Sequence, residues 1–359
     1  MTMKLRVGTR KGLFILEKSA GGSWRCSEPL FLGEPVSMLL RDSRNGDQYT
    51  ALNLGHFGVK LHRAEAGSDQ WSEIQVPKYP KVGEEDGPAL DQIWELVPGA
   101  DDEAGTLWAG TIPGGLFKST DRGDSWTLVE SLWNAPEREK WMGGGYDKPG
   151  IHSICIHPQN SQLIRLAVSC GGVWESTDGG ASWNQPAKGL RAAFLPVDMA
   201  YDPVMQDPHR MVSCPAAPEH MWIQHHNGIF RSEDGGHHWD EITDINPSVF
   251  GFAVVVHPAD PNTAWFVPGV KDEYRVPVDG KLVVNRTRDG GKTFEQLSSG
   301  LPQSAVYDLV YRHALDIHSN GEMLAFGSTT GNLWISEDQG DSWQCISNHL
   351  PPINVVRFD

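Results

Sequence analysis

Four histidines, His56, His152, His209 and His226, lie in four different segments of the chain, each beside a strand-like pattern. Neutral imidazoles can hold a divalent metal ion with an open position, accept a substrate proton, or hydrogen-bond a substrate. His152, His209 and His226 are the expected metal ligands, with a carboxylate such as Asp91 or Asp147 beside them, so one divalent metal ion is the expected cofactor. His152 and His209 are also candidate bases. Asp147 and Glu273 are the expected carboxylate pair for cleaving a glycosidic bond, one protonated and one ionised. Arg10, Lys271 and Arg275 offer positive charge to an anionic group or a developing negative charge. His56, Asp91, Tyr146, His226 and Tyr307 complete the expected substrate-binding set. None of these residues forms a sequence-local signature such as H-E-x-x-H, so only a fold can assemble them. Cys170 belongs to the same set of positions and reads as a small buried hydrophobe before a nucleophile.

A repeated motif, hydroxyl-x-Asp-x-Gly-x-x-aromatic, supplies that fold. It reads STDRGDSW to Trp126, STDGGASW to Trp183, SEDGGHHW to Trp239, TRDGGKTF to Phe294 and SEDQGDSW to Trp343. Two decayed copies, EKSAGGSW and AEAGSDQW, end at Trp24 and Trp71. Successive aromatics stand 47 to 57 residues apart, the period of a β-propeller blade. The expected fold is therefore all-β, a seven-bladed β-propeller. Its blades fall at about 1–32 with 353–359, 36–77, 90–131, 151–187, 208–243, 249–298 and 304–348, and 1–359 is one domain. Within the motif, the hydroxyl and carboxylate bond the backbone of their own turn and the Gly takes positive φ. The aromatic then packs between neighbouring sheets.

Each unit reads as four strands. IHSICIHP (151–158) and LIRLAVSC (163–170) are the first two of the fourth unit, and the frame fits YDLVYRHALDIHSNGEMLAFGS in the seventh. The first unit lacks an inner strand, and INVVRFD (353–359) has no unit of its own. Pairing it with Leu5–Thr9 closes the ring and covers an edge. Aligned on the turn between strands two and three, the units place Arg10, His56, Pro113, Cys170, His226 and Thr330 toward the channel mouth. Aligned on the inner strand, they place Asp91, His152, His209, Phe250 and Tyr307 there. Two long polar loops, 133–150 with Trp141, Tyr146 and Asp147, and 267–281 with Lys271, Asp272, Glu273 and Arg275, lie on the same face.

Composition removes other classes. The formal charge is −16 and no Lys/Arg-rich run exists, which argues against a nucleic-acid partner. Five cysteines without a C-x-x-C pair make neither a disulfide framework nor a zinc finger. No apolar run approaches the roughly 18 residues of a membrane span, and the charged, alternating N-terminus has no signal-peptide core. A cytoplasmic protein without a membrane partner is expected. Glycine-rich GGGYDKPG lacks the Lys-Ser/Thr of a phosphate loop.

The five motif copies resemble Asp boxes, or BNR repeats, found in sialidases, sortilin-type receptor domains, some xyloglucan hydrolases and a photosystem assembly factor. GTRKGLF, GGGYDKPGIHS, QHHNGIFRSEDGG and FVPGVKDEYRVP are similar to a bacterial group of BNR-repeat, sialidase-like glycosyl hydrolases. The resemblance implies the propeller and a glycosyl-hydrolase-like activity. Sialidases carry an Arg-Ile-Pro segment and three channel arginines. This chain has no Arg-Ile-Pro, and only Arg10 and Arg275 stand in for clamps, so sialidase activity is not expected.

The expected function is thus a hydrolase or lyase acting on a small polar ligand, a sugar or sugar acid, at the channel mouth. The alternative is a non-catalytic ligand-binding or assembly propeller, whose channel would lack converging titratable groups.

Overall fold

Short strands that are apolar on both faces need cover on both sides, and this chain is built almost wholly from them. All six residues of Leu107–Ile112 and of Gly251–Val256 are buried. The outermost strands are short and polar: Ser72–Ile74, Asp240–Ile242, Glu295–Leu297 and Gln344–Ser347 contain no buried residue. Brief, charged edges of this kind discourage pairing with other chains.

The computed structural model describes residues 3–81, 83–144 and 146–359. They group into two units, Ser37–Met211, and Met1–Val36 with Val212–Asp359. In the first unit, one antiparallel sheet runs Val36–Arg41, Gln48–Asn53, Val59–Ala64, Ser72–Ile74. A second runs Gln92–Pro98, Leu107–Ile112, Leu116–Ser119, Thr127–Leu128, and a third Gly150–His157, Asn160–Ser169, Gly172–Ser176. Trp108, Leu116, Ile151, Leu166 and Trp174 centre its core.

In the other unit, Lys4–Thr9, Gly12–Lys18 and Trp24–Cys26 are joined by the C-terminal strand Ile353–Phe358. Leu5 stands opposite Phe358 and Val7 opposite Val356, as the unpaired sequence of the last residues predicts. Three further four-stranded sheets follow. The first contains Pro208–Cys214, whose residues up to Met211 belong to Ser37–Met211, with Ala217–His225, Gly228–Ser232 and Asp240–Ile242, and the next Gly251–Val256, Ala264–Pro268, Val284–Thr287 and Glu295–Leu297. The last contains Leu315–Ile317, Leu324–Gly327, Leu333–Ser336 and Gln344–Ser347. The fold is an all-β, seven-bladed β-propeller.

The motif turns repeat one hydrogen-bond set. In the fourth unit Ser176 Oγ donates to Asp178 Oδ1 at 2.8 Å and accepts from Gly180 N–H at 2.8 Å. Asp178 also accepts the Ser182 N–H at 2.8 Å and the Ser182 hydroxyl at 2.6 Å. Asp121, Asp289 and Asp338 show the same arrangement, and in the Asp234 turn His238 Nδ1 replaces the second hydroxyl. Two closing indoles reach the preceding repeat, Trp126 Nε1 donating to Gln75 O and Trp183 Nε1 to Ser131 Oγ, whereas Trp239 Nε1 donates to Gly236 O of its own turn.

One element departs from expectation. The seventh inner strand is Leu315–Ile317, and residues 305–312 are not a strand. Ala314 N–H bonds Tyr311 O, which turns the chain before the strand begins, and Thr329 N–H bonds Leu309 O. Tyr307 therefore opens no strand and stands 68% exposed.

Candidate functional site

Within Ser37–Met211, titratable groups gather at the turn following Asn160–Ser169. Cys170 takes a left-handed conformation, φ +50°, a placement that costs a non-glycine residue roughly 1–2 kcal/mol. The turn directs the Cys170 N–H to Asp207 Oδ1 at 3.1 Å, with the Ser169 hydroxyl at 3.5 Å. Asp207 Oδ2 lies 3.6 Å from His209 Nε2, and both side chains are buried. The 133–150 loop closes over this group, since Met142 N–H bonds Cys170 O at 3.0 Å. Gly144 is needed there: a Cβ would lie 2.6 Å from Ser169 Oγ and 3.2 Å from Cys170 Sγ. Gly145, the last of the triple glycine, lies outside the described residues.

His152 is a correction. It is fully buried, with Nδ1 bonded to Ser153 Oγ at 2.9 Å and Nε2 to Pro208 O at 2.8 Å. Nε2 ties this strand to Pro208 and Nδ1 is occupied by the adjacent Ser153, so neither is placed to ligate a metal or take a substrate proton. Arg210 fixes the same spot by donating to His152 O at 2.6 Å while pairing with the buried carboxylate of Glu95. Trp141 also packs: it is buried, edge-on to Trp174 at 5.5 Å. Asp147 is exposed, and Tyr146 is half exposed with its ring edge on Trp94 at 5.2 Å. Asp91 pairs with Lys148 at 2.7 Å. His56 is exposed in the single turn Gly55–Phe57, its ring against Phe57 at 3.9 Å.

In the other unit, the 267–281 loop folds back on itself. Arg275 grips Asp272 Oδ1 through Nε at 3.0 Å and Nη2 at 2.6 Å, and its guanidinium lies 5.3 Å from the Phe252 ring centre. Burial works against its charge, but the Tyr311 hydroxyl and Asp272 hold its pKa above the ordinary arginine value. Arg312 approaches the same Phe252 ring at 5.6 Å. Lys271 is exposed, 3.5 Å from Glu273 and 5.0 Å from the Tyr274 ring. The main-chain N–H of Glu273, and then Lys271, hold the exposed Glu273 carboxyl below the usual range. A general acid needs a raised pKa, so the protonated member of the expected carboxylate pair is not Glu273. His226 is half-buried, edge-on to Phe250 at 6.1 Å, and Arg10 is exposed with its N–H on Pro352 O.

Two carboxylates escaped the sequence reading. Asp207 stands two residues before His209, where strand alternation puts both on one face, so D-P-H was a readable signal. Asp308 is buried, and its Oδ1 accepts from Ser328 Oγ at 2.5 Å, from Asn332 Nδ2 at 2.7 Å and from Thr330 Oγ1. The S-x-T-x-N spacing of that turn was visible, but its acceptor, twenty residues earlier, was not.

No family profile matches the chain. In sequence it is similar to a probable oligoxyloglucan-reducing end-specific xyloglucanase of Neosartorya fischeri. The two are 26% identical over 282 residues, which are 70% of this chain and 32% of the relative. The chain thus spans about a third of that curated relative's length. Among solved structures, a putative 6-phosphogluconolactonase from Bacteroides fragilis superposes with TM-score 0.59 at 11% identity, covering 100% of this chain and 98% of that one. A GH74 enzyme of Niastella koreensis gives TM-score 0.57 at 15% identity, covering 96% and 64%. These structural likenesses show the fold.

Proposed function

We propose that the chain is a hydrolase or lyase acting on a small polar, sugar-like substrate, with His209 moving a proton and Asp207 orienting and stabilising it. The observation that supports this most is the buried Asp207, fixed by the Cys170 main chain and set 3.6 Å from His209 Nε2. A carboxylate beside an imidazole fixes the ring and stabilises the imidazolium formed when the base takes a proton. The sequence likeness to a protein named as a xyloglucanase supports a carbohydrate substrate. Tyr146, on the 133–150 loop of the same unit, remains a proposed substrate-binding group.

A divalent metal ion is the proposed cofactor, and an imidazole with a carboxylate is a donor set that suits one. With the ion bound, Asp207 and His209 would hold it, His209 would serve as a ligand rather than as the proton carrier, and the ion's chemistry would be polarisation of a substrate oxygen.

The test is turnover on a panel of oligosaccharides, aryl glycosides, uronates and sugar lactones, with elemental analysis of protein purified without chelators. His209→Ala and Asp207→Asn are expected to lower turnover by about 10²–10⁴ with unchanged circular dichroism, and to release any bound metal. His226→Ala, in the same elemental analysis, tests the remaining histidine of the expected metal set. If Asp147→Asn and Glu273→Gln abolish turnover while His209→Ala does not, a two-carboxylate glycosidase replaces this mechanism. A chain that turns over nothing yet retains a ligand or partner through these variants is a binding propeller instead.

A further inference from the structure

Three junctions between neighbouring sheets share one bracket. Arg63 donates to the Arg122 carbonyl at 2.9 Å, Arg231 to the Gly290 carbonyl at 3.1 Å and Arg286 to the Gln339 carbonyl at 2.7 Å. Each acceptor follows the motif aspartate of the next sheet. Each arginine stands across its own sheet from an aromatic: Tyr49, Trp222 and Trp265. Tyr49 and Trp265 add a second donor to the same carbonyl, at 3.2 and 2.8 Å.

At one junction the bracket is missing. In the unit Ser37–Met211, the equivalent pair is Trp108 and Lys118, and the equivalent carbonyl belongs to Gly179, which follows Asp178. Lys118 turns to Glu103 on its own sheet, 3.0 Å away, and lies 4.7 Å over the Trp108 ring. Among the described residues no donor reaches the Gly179 carbonyl. The buried Trp108 Nε1 has no acceptor among the described residues. A cavity of about 360 Å³ opens where the bracket would lie, lined by Trp108, Lys118, Thr127, Glu130, Ser131 and Gly179 among others. That is the lower end of the roughly 300–1,000 Å³ of small-molecule sites.

We propose that this junction is a second ligand site, for a neutral polyol or the terminal unit of a neutral saccharide. It lies by the motif turn, at the end of Gly172–Ser176 away from Cys170, and does not depend on the proposed chemistry at Asp207 and His209. The junction offers a lone donor, the indole N–H, and a lone acceptor, the Gly179 carbonyl. A hydroxyl is donor and acceptor at once, so adjacent hydroxyls satisfy both groups. An anion has no such fit: Glu103 matches the Lys118 charge, and Glu130 adds a carboxylate to the lining. Lys118 Nζ lies over the Trp108 ring, so this flexible side chain must swing aside for a ligand to approach the indole.

The test is titration of ¹⁵N-labelled protein with D-glucose, following the Trp108 indole N–H resonance, assigned by its loss in Trp108→Phe. A saturable shift of that resonance is expected. Lys118→Arg restores the side chain found at the three bracketed junctions and should remain folded. Its guanidinium would reach the Gly179 carbonyl, fill the cavity and weaken the response by roughly tenfold. A Trp108 resonance that stays still, or a Lys118→Arg protein that responds as the wild type does, overturns the proposal.

Discussion

Asp178 and Asp207 both accept a main-chain N–H and a serine hydroxyl, yet the two regions around them are built to opposite ends. Asp178 is exposed, sits in a turn made of its own neighbours, and recurs at Asp121, Asp234, Asp289 and Asp338 with nearly the same distances. Asp207 is buried and takes its N–H from Cys170, in a distant turn; beside it stands His209. In a chain of repeats, what recurs solves a folding problem common to every unit, whereas a buried titratable pair without copies has no such explanation. The bracket junctions follow the same logic in reverse, since a recurring contact becomes informative where Lys118 fails to make it.

The strongest test of this division is the one structural element that no repeat can replace. The C-terminal strand buries Ile353, Val355 and Val356, and Asp359 pairs with the buried Arg6 at 2.5 Å. Three buried aliphatic side chains contribute roughly 1.5–3 kcal/mol each. Stranding a buried charge costs about 3–5 kcal/mol more, which together rivals the 5–15 kcal/mol of a whole domain. Deleting 353–359 is therefore expected to abolish cooperative thermal unfolding, read by circular dichroism. A truncated chain melting within a few degrees of the full one would show that the first sheet tolerates a bare edge.

That strand was readable because its pattern was apolar and its unit was missing, and the motif turns because every bond in them spans four residues or fewer. The site was less readable for a physical reason. Asp308 and its donors are about twenty residues apart, and Cys170 and Asp207 thirty-seven, so no local spacing records them. His152 and His209 looked alike, each near the start of an inner strand. Only their neighbours, Ser153 and Pro208 O for one and Asp207 for the other, separate the packing residue from the candidate base.

Acid sensitivity separates the two aspartates with a smaller effect. The Ser182 hydroxyl, the Ser182 N–H and the Ser176 hydroxyl hold the Asp178 carboxyl down to about 2. A depressed carboxylate stabilises the fold above its unfolded pKa, about 3.9, and that contribution disappears as pH falls through the folded value. Asp178→Asn is thus expected to lower Tm most at neutral pH and to converge on the wild type near pH 2. It should leave turnover unchanged, unlike Asp207→Asn. A Tm difference that stays constant down to pH 2 would mean that the charge of the motif aspartate is irrelevant.

The smallest effect concerns the residue after the motif aspartate, which every intact turn holds at positive φ. Gly179, Gly235 and Gly290 occupy it in three turns, but Arg122 and Gln339 take it at φ +65° and +59° in the others. The left-handed conformation costs a non-glycine residue about 1–2 kcal/mol, while glycine gives back about 0.5–1 kcal/mol through the freer unfolded chain. Arg122 recovers its cost by pairing with Asp47 at 2.7 Å. Gln339 has only a 3.5 Å approach to Glu322, and the carbonyl that accepts from Arg286 and Trp265 is main chain. Gln339→Gly keeps those bonds and should raise stability by about 0.5–1 kcal/mol in urea unfolding, whereas Arg122→Gly should lower it. Equal responses at the two positions would mean that side-chain pairing plays no part in which residue a motif turn tolerates.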